Sequence, residues 1–375
     1  MNTDGRVDNS AYMIWAKTRS QARFNLASSG LMNYPLAELD VQLADIELSG
    51  PSLYGYEPLQ RALAAKCGVT PDCVVAATGT SGANHLVMAL LLQPGDEVLI
   101  EHPAYELLVA TAQHLGATVK RFNRNFARGF AVEPEEIARL VTPRTRLIVI
   151  TNLHNPSSAY TDEATLCAVG EIARAAGARV LVDEVYLDAL FERAPPSAFH
   201  LGAEFVVTNS LTKVYGLSGL RCGWILAEPA LAERLWQLND LFGVIAAHPA
   251  ERLSCLALAQ LPRIAARAQT LLAANRAALN SFLTTRTELD CLPHEHGTVV
   301  FPRWRGGDVA RLCELLREKY ETTVVPGHFF AAPAHFRLGL GGDTATFTAG
   351  LERLGVALDE AKSEPPAVGG RVLVA

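Results

Sequence analysis

Short apolar runs alternate through the first two thirds of the chain with stretches whose apolar residues recur at helical spacing. The runs at 74–78, 97–101, 118–121, 147–151, 179–183, 205–209 and 223–227 read as strands. Between many of them, 82–92, 105–115, 135–140, 162–176 and 230–239 read as helices. A strand apolar at successive positions is buried on both faces, and strands that alternate with helices build mostly parallel sheets. The pattern predicts an α/β domain with a mostly parallel seven-stranded sheet covered by helices.

The pattern changes at Pro249. From there to about Arg286 the chain is rich in Ala, Leu and Arg and reads as one or two long helices. Short strands follow at 298–301, 322–325 and 336–340, with helices near 308–319 and 344–356, which predicts a second, smaller α+β domain. Residues 1–40 are polar and broken, with an early helix near 12–17; residues 363–375 are rich in Pro and Gly, the composition of a mobile end. The expected division is a large domain at 41–248 and a small domain built from 1–40 together with 249–375.

With 375 residues, 49% hydrophobic and 19% charged, the chain can fill a large core. A net charge of −6 and the lack of any basic block give nucleic-acid binding little electrostatic support. The seven cysteines are scattered and form no C-x-x-C pair, which fits a reducing cytoplasm better than a disulfide framework or a structural zinc site. The polar N-terminus carries no signal-peptide core, and apolar runs such as 86–92 are too short to cross a bilayer.

Candidate chemistry centres on Lys213. An apolar strand ends in Ser210, a lysine follows three residues on, and Arg221 comes eight further. An imine-forming lysine needs a neutral amine in a dry pocket, and nearby cations help to keep it neutral. A hydroxyl and a guanidinium beside it can hold a phosphate. The set suggests a lysine joined to a phosphorylated aldehyde, pyridoxal phosphate. That cofactor also needs an acid partner for its ring nitrogen, donors to its ring oxygen, a phosphate cup and a stacking aromatic. Asp183 ends an apolar strand, where a carboxylate is costly unless paired, so it is the candidate acid; a helix cap or a metal ligand are the competing readings. Thr80, Ser81 and Gly82, with Ala83, follow another strand and open a helix whose amides would face an anion, and Gly79 and Gly82 allow close backbone approach. Tyr105 could stack on the ring. Asn155 and Tyr186 could donate to the ring oxygen, with Asn152 and His154 as further possible ligand contacts.

The order of these parts resembles fold-type I, class I/II aminotransferases of the aspartate aminotransferase superfamily. The cup at 80–83, Tyr105, Asn155-Pro156, Asp183-x-x-Tyr186, Ser210-x-x-Lys213 and Arg221 follow that family's order and spacing, and the resemblance runs from about Tyr54 to Arg337. It implies that Lys213 is the Schiff-base lysine and proton shuttle, and that the protein is a homodimer with shared active sites. It further implies that Arg337 grips the substrate carboxylate and that Ser29 and Gly30 lie in the segment covering the substrate. Tyr54, with Tyr56 as alternative, would reach the neighbour's cofactor phosphate. The expected substrates are an L-amino acid and a 2-oxo acid, exchanged in a ping-pong cycle.

Three departures stand out. The family's Asn-Pro-Thr-Gly is here Asn155-Pro156-Ser157-Ser158, so the turn is expected to differ. No arginine lies near 243–249, where dicarboxylate-specific members carry one, which weakens aspartate as a substrate. His328-Phe329-Phe330 is unusual and is expected to line the side-chain pocket. The same site could serve a pyridoxal-phosphate lyase, decarboxylase or cyclising enzyme. A ligand-sensing module has no room for a basic helix-turn-helix ahead of the first domain, and a nucleotide-binding oxidoreductase lacks the G-x-G-x-x-G fingerprint and leaves Lys213, Asp183 and Arg221 unexplained.

Overall fold

The computed structural model describes residues 7–51, 53–293 and 295–363. The Pro- and Gly-rich tail from 364 onward lies outside the described residues. In chain order the helices are α1 (Ala11–Thr18), α2 (Glu57–Cys67), α3 (Gly79–Leu91), α4 (Glu106–His114), α5 (Pro134–Leu140), α6 (Glu163–Ala176), α7 (Pro229–Asn239), α8 (His248–Ala259), α9 (Leu261–Thr284), α10 (Val309–Lys319) and α11 (Thr344–Ser363). The strands are β1 (Phe24–Asn25), β2 (Val74–Thr78), β3 (Glu97–His102), β4 (Thr118–Asn123), β5 (Thr145–Thr151), β6 (Arg179–Asp183), β7 (Phe205–Ser210), β8 (Cys222–Leu226), β9 (Leu289–Asp290), β10 (Val299–Val300), β11 (Arg303–Trp304), β12 (Thr322–Thr323), β13 (Val325–Pro326) and β14 (Phe336–Gly339).

Strands β2 to β8 form one seven-stranded sheet in the order β2-β8-β7-β6-β5-β3-β4, as the apolar pattern predicts. Only β8 runs against the others. Successive residues point to opposite faces. Ile148, Ile150, Val180 and Val182 enter one core, while Leu147, Val149 and Leu181 enter another on the far side. Both faces are covered, so no polar alternation survives in these strands.

The remaining strands pair in short sets. β13 and β10 flank β14 antiparallel, and β1 joins β12 in parallel. The run at 322–325 splits in two because the chain changes partner at Val324, from β1 to β14. The Ala- and Leu-rich stretch resolves into two helices that break at Gln260, with Pro262 in the first turn of α9. Ile264 of α9 joins the core under the large sheet, whereas Leu272 and Leu279 join a third core with Leu312, Phe336 and Leu354. Helix α2 escaped the sequence reading, although Leu59 and Leu63 stand at i, i+4 spacing and Gly68 closes it in the left-handed region at φ 67°.

Candidate active site

The six strands that share one direction bring their C-terminal ends to one edge of the sheet. β8 runs the other way, so it starts at that edge, and Arg221 immediately before it arrives there too. This edge is where open α/β sheets bind ligands. A cavity of about 420 Å³ opens there; its walls include Thr80, Ser81, Tyr105, Asn155, Asp183, Tyr186, Ser210, Lys213 and Arg221 from the expected set.

At one end, helix α3 begins directly on β2 with no side-chain cap, so its first amides remain available to an anion. Thr80 donates to Ser210 Oγ over 2.8 Å, and Ser210 Oγ accepts the Thr212 amide over 3.3 Å. Arg221 adopts a left-handed conformation and donates to the carbonyls of Ser218 and Thr78 over 3.2 and 3.3 Å. The cradle demands glycine at two places. Gly79 sits at φ 67° against the Arg221 guanidinium, and a Cβ on Gly223 would stand 2.6 Å from Gly79 Cα. Gly82 carries no such demand, because a Cβ there meets only Thr78 Cβ at 3.4 Å.

At the centre, Asp183 is buried. Its carboxylate accepts from Asn84 Nδ2 over 2.8 Å and from the Val185 amide over 3.1 Å. Burial pushes its pKa up to about 6, against the pull of those donors. Lys213 lies in the same cavity. Burial lowers its pKa to about 8, the Arg337 and Arg221 charges push the same way, and Asp183 opposes them. Gly30 packs behind the lysine: a Cβ there would stand 3.2 Å from Lys213 Cδ. Ser29 is buried beside it on the cavity wall and also borders the Tyr186 phenol. Burial raises Tyr186 to about 12 and lifts Tyr105 above its usual range, so both stay protonated donors at neutral pH.

Arg337 is fully buried on β14. Its guanidinium donates to Asn155 Oδ1 over 2.9 Å, to the Tyr12 hydroxyl over 3.0 Å and to the Ala27 carbonyl over 3.0 Å. Its Nε has no partner, and no carboxylate lies within ion-pair distance among the described residues. A buried cation without a counter-charge is expensive, and an incoming carboxylate relieves that cost.

The turn that presents Asn155 rests on a buried polar frame. Arg124 pairs with Glu101 over 2.7 Å and reaches Phe130 O and Thr161 Oγ1, while Glu101 accepts the Thr151 amide over 2.9 Å. Asn152 exchanges two bonds with Thr161, and His154 joins Pro103 O to Ser157 Oγ. Asn152 and His154 are thus spent on the protein itself and are absent from the cavity wall. Ser158, where the family pattern has glycine, adopts φ 60°, and its hydroxyl donates to Val299 O over 2.8 Å.

Tyr54 is not brought to this cavity. It is half exposed, with its ring centroid 6.1 Å from that of Trp236. His328 and Phe329 border a neighbouring groove between α1 and α10, separated from the cavity by Trp15. The sequence reading missed Tyr12 and Asn84. Tyr12 lies in a short apolar helix that carries no motif, and Asn84 sits mid-helix where only the fold reveals what it faces.

A buried lysine with a depressed pKa, a carboxyl at a strand end, an uncapped helix start with two hydroxyls and a cation fit an aromatic aldehyde phosphate in every part. The fold and site define a pyridoxal-phosphate-dependent enzyme. Residues 37–354 match the family described as aminotransferase class I and II, and the chain belongs to that family. It is 30% identical to a capreomycidine synthase of Streptomyces vinaceus over 87% of each chain. It is 31% identical to an arginine–pyruvate transaminase of Pseudomonas aeruginosa over 72% of this chain and 71% of that one. A solved PLP-dependent aminotransferase from Streptococcus suis superposes with a TM-score of 0.88 at 26% identity, covering 96% of this chain and all of the other. The protein is an aminotransferase, and its cofactor is pyridoxal 5′-phosphate.

Proposed function

We propose that the protein moves an amino group from an L-amino acid to a 2-oxo acid in a ping-pong cycle, with the residues of the cavity in the following roles. Thr80, Ser81, Gly82, Ser210 and Arg221 would hold the cofactor phosphate; Asp183 the ring nitrogen; Asn155 and Tyr186 the ring oxygen; Tyr105 a ring face. Bound there, pyridoxal phosphate supplies an aldehyde for amine exchange and a protonated ring that withdraws electrons. Lys213 Nζ takes the substrate's Cα proton and later returns it, base and then acid. A pKa near 8 leaves part of the amine neutral at physiological pH, which that role requires. Arg337 provides the charge that draws in the substrate carboxylate, and Ser29 would cover the substrate side, with Gly30 packed behind Lys213. The observation that supports this reading most is that Lys213 and Asp183 line one cavity together with Asn155, which accepts a hydrogen bond from the buried Arg337 guanidinium.

The remaining walls of the cavity toward α1 are uncharged: Tyr12, Met13, Trp15, Ser20, Gln21 and Asn25. This lining favours a donor with a neutral side chain.

We further propose a homodimer. Leu43, Leu48, Leu53 and Leu241 are each more than three-quarters exposed, and Phe242 and Val244 more than half. Both segments fasten to the same helices, through Tyr54 against Trp236 and an ion pair of 3.3 Å from Glu47 to Arg252. A second copy would bury this apolar surface and carry Tyr54 to the partner's phosphate cradle. The division into a cofactor-binding unit at 41–248 and a second unit from 1–40 and 249–375 belongs to the same proposal. A cytoplasmic site suits seven cysteines that form no disulfide among the described residues; among those residues no helix is long and apolar enough to cross a membrane.

The test is a visible-absorbance titration of the holoenzyme with a panel of amino acids and no 2-oxo acid. Bleaching by one amino acid with a stoichiometric 2-oxo acid product is expected. Catalytic release of ammonia instead would move the reading to a lyase or a cyclising enzyme.

A further inference from the structure

Arg337 itself does not line the cavity; Tyr12 and Asn155, which it binds, do. Tyr12 comes from α1, on the N-terminal segment, and is 8% exposed. Its ring stands edge-on to Tyr105 at 5.6 Å and to Phe329 at 5.7 Å, and the Arg337 guanidinium carbon lies 5.7 Å from its centroid. Three aromatic and cationic neighbours therefore fix where the hydroxyl points.

A phenol has one proton to give and lone pairs to receive. Arginine has no acceptor, so in the 3.0 Å contact the Tyr12 oxygen must be accepting from Arg337 Nη2. The phenolic proton is then left over. We propose that Tyr12 is a substrate-binding residue whose hydroxyl donates to the substrate carboxylate, carrying the charge of the buried Arg337 to the cavity surface. Accepting from a cation polarises the O–H and strengthens its own donation.

The helix that carries Tyr12 is held for this task. Glu106, the residue after Tyr105, receives the Ala11 and Tyr12 amides over 3.1 and 3.2 Å, and also the Ser10 hydroxyl. At its other end the Ser20 carbonyl accepts from Thr323 Oγ1 over 2.8 Å. Helix α1 is thus tied both to α4 of the large sheet and to β12, and Tyr12 and Tyr105 share one anchor.

This inference rests on the reading of Arg337 as the carboxylate's counter-charge, and the test separates the two. The holoenzymes of the wild type, Tyr12→Phe and Arg337→Gln are titrated with carboxylates that have no amine (butyrate and 3-phenylpropionate) and, in parallel, with butylamine. Binding is read by ligand-observed NMR and by the cofactor's absorbance. Tyr12→Phe keeps the ring and its packing, so folding is preserved. It is expected to weaken each carboxylate about 10- to 100-fold, the worth of one hydrogen bond to a charged group, while butylamine binds as before. With an amino acid that the enzyme accepts, KM should rise by a similar factor and kcat change by less than about threefold. If Arg337→Gln weakens the carboxylates and Tyr12→Phe does not, the role of Tyr12 is overturned and that of Arg337 stands. If Tyr12→Phe weakens carboxylates and butylamine alike, Tyr12 merely shapes the cavity and the proposal fails. If Arg337→Gln leaves carboxylate binding intact, both readings fail.

Discussion

Asn84 on α3 donates to the Asp183 carboxylate over 2.8 Å and is itself held by Thr208, whose hydroxyl donates to Asn84 Oδ1 over 2.6 Å. The bond from Thr208 forces the amide nitrogen, not its oxygen, to face Asp183. Asn84→Leu removes a donor that favours the charged carboxyl, so the Asp183 pKa should climb above its value near 6. The expected outcome is weaker cofactor binding whose acid limb moves to higher pH, read by fluorescence titration of pyridoxal phosphate between about pH 5 and 8.

Asp183 should also mark the stability of the protein stripped of cofactor. Its pKa is raised from the ordinary 3.8 to about 6. Below about pH 4 the carboxyl is protonated in folded and unfolded chains alike. Between about pH 4 and 6 the unfolded chain releases the proton and the folded chain keeps it, so stability falls as pH rises. Asp183→Asn abolishes that loss. At pH 7 the cofactor-free variant should be more stable than the cofactor-free wild type by something on the order of 2 kcal/mol, while binding cofactor more weakly. Urea unfolding at both ends of the window measures it.

Lys213→Ala should remove turnover by at least about a thousandfold, since proton transfer at Cα loses its base and acid together. The fold should survive, because the lysine forms no hydrogen bond or ion pair with its side chain among the described residues. Borohydride reduction followed by whole-protein mass measurement should find cofactor attached to the wild type and none on the variant.

The buried frame beneath Asn155 predicts a stability effect without chemistry. Arg124→Met leaves the Glu101 carboxylate buried with no counter-charge, which should cost about 3–5 kcal/mol. Adding Glu101→Leu should return most of it, although the Thr151 amide then loses its acceptor. Denaturant midpoints of the two variants decide the point.

The large sheet was legible because its inner strands are buried on both faces and so stay largely apolar; Val74–Thr78 and Arg179–Asp183 have the bounds the pattern predicts. The cofactor side of the cavity was legible for a related reason: Thr80, Asn155, Asp183, Ser210 and Arg221 all stand next to the end of such a strand. The substrate side was not. Tyr12 reaches the site across more than three hundred positions of sequence, from a short helix whose neighbours are all tertiary. Nor does periodicity show that Arg337 turns inward, behind Tyr12 and Asn155. Tyr54 illustrates the converse, a residue whose expected partner belongs to another copy of the chain.

Helix α9 leaves one core near Ile264 and enters another near Leu272, with 24 residues and no internal break. At 1.5 Å per residue it is a rod of about 36 Å. Pivoted at its first turn, a tilt of only about 5° would carry its far end by roughly 3 Å and Asn275, about 21 Å along and bonded to Leu340 just after β14, by roughly 2 Å. A small adjustment in packing beside the sheet would thereby be passed along one rigid element toward the segment that carries Arg337.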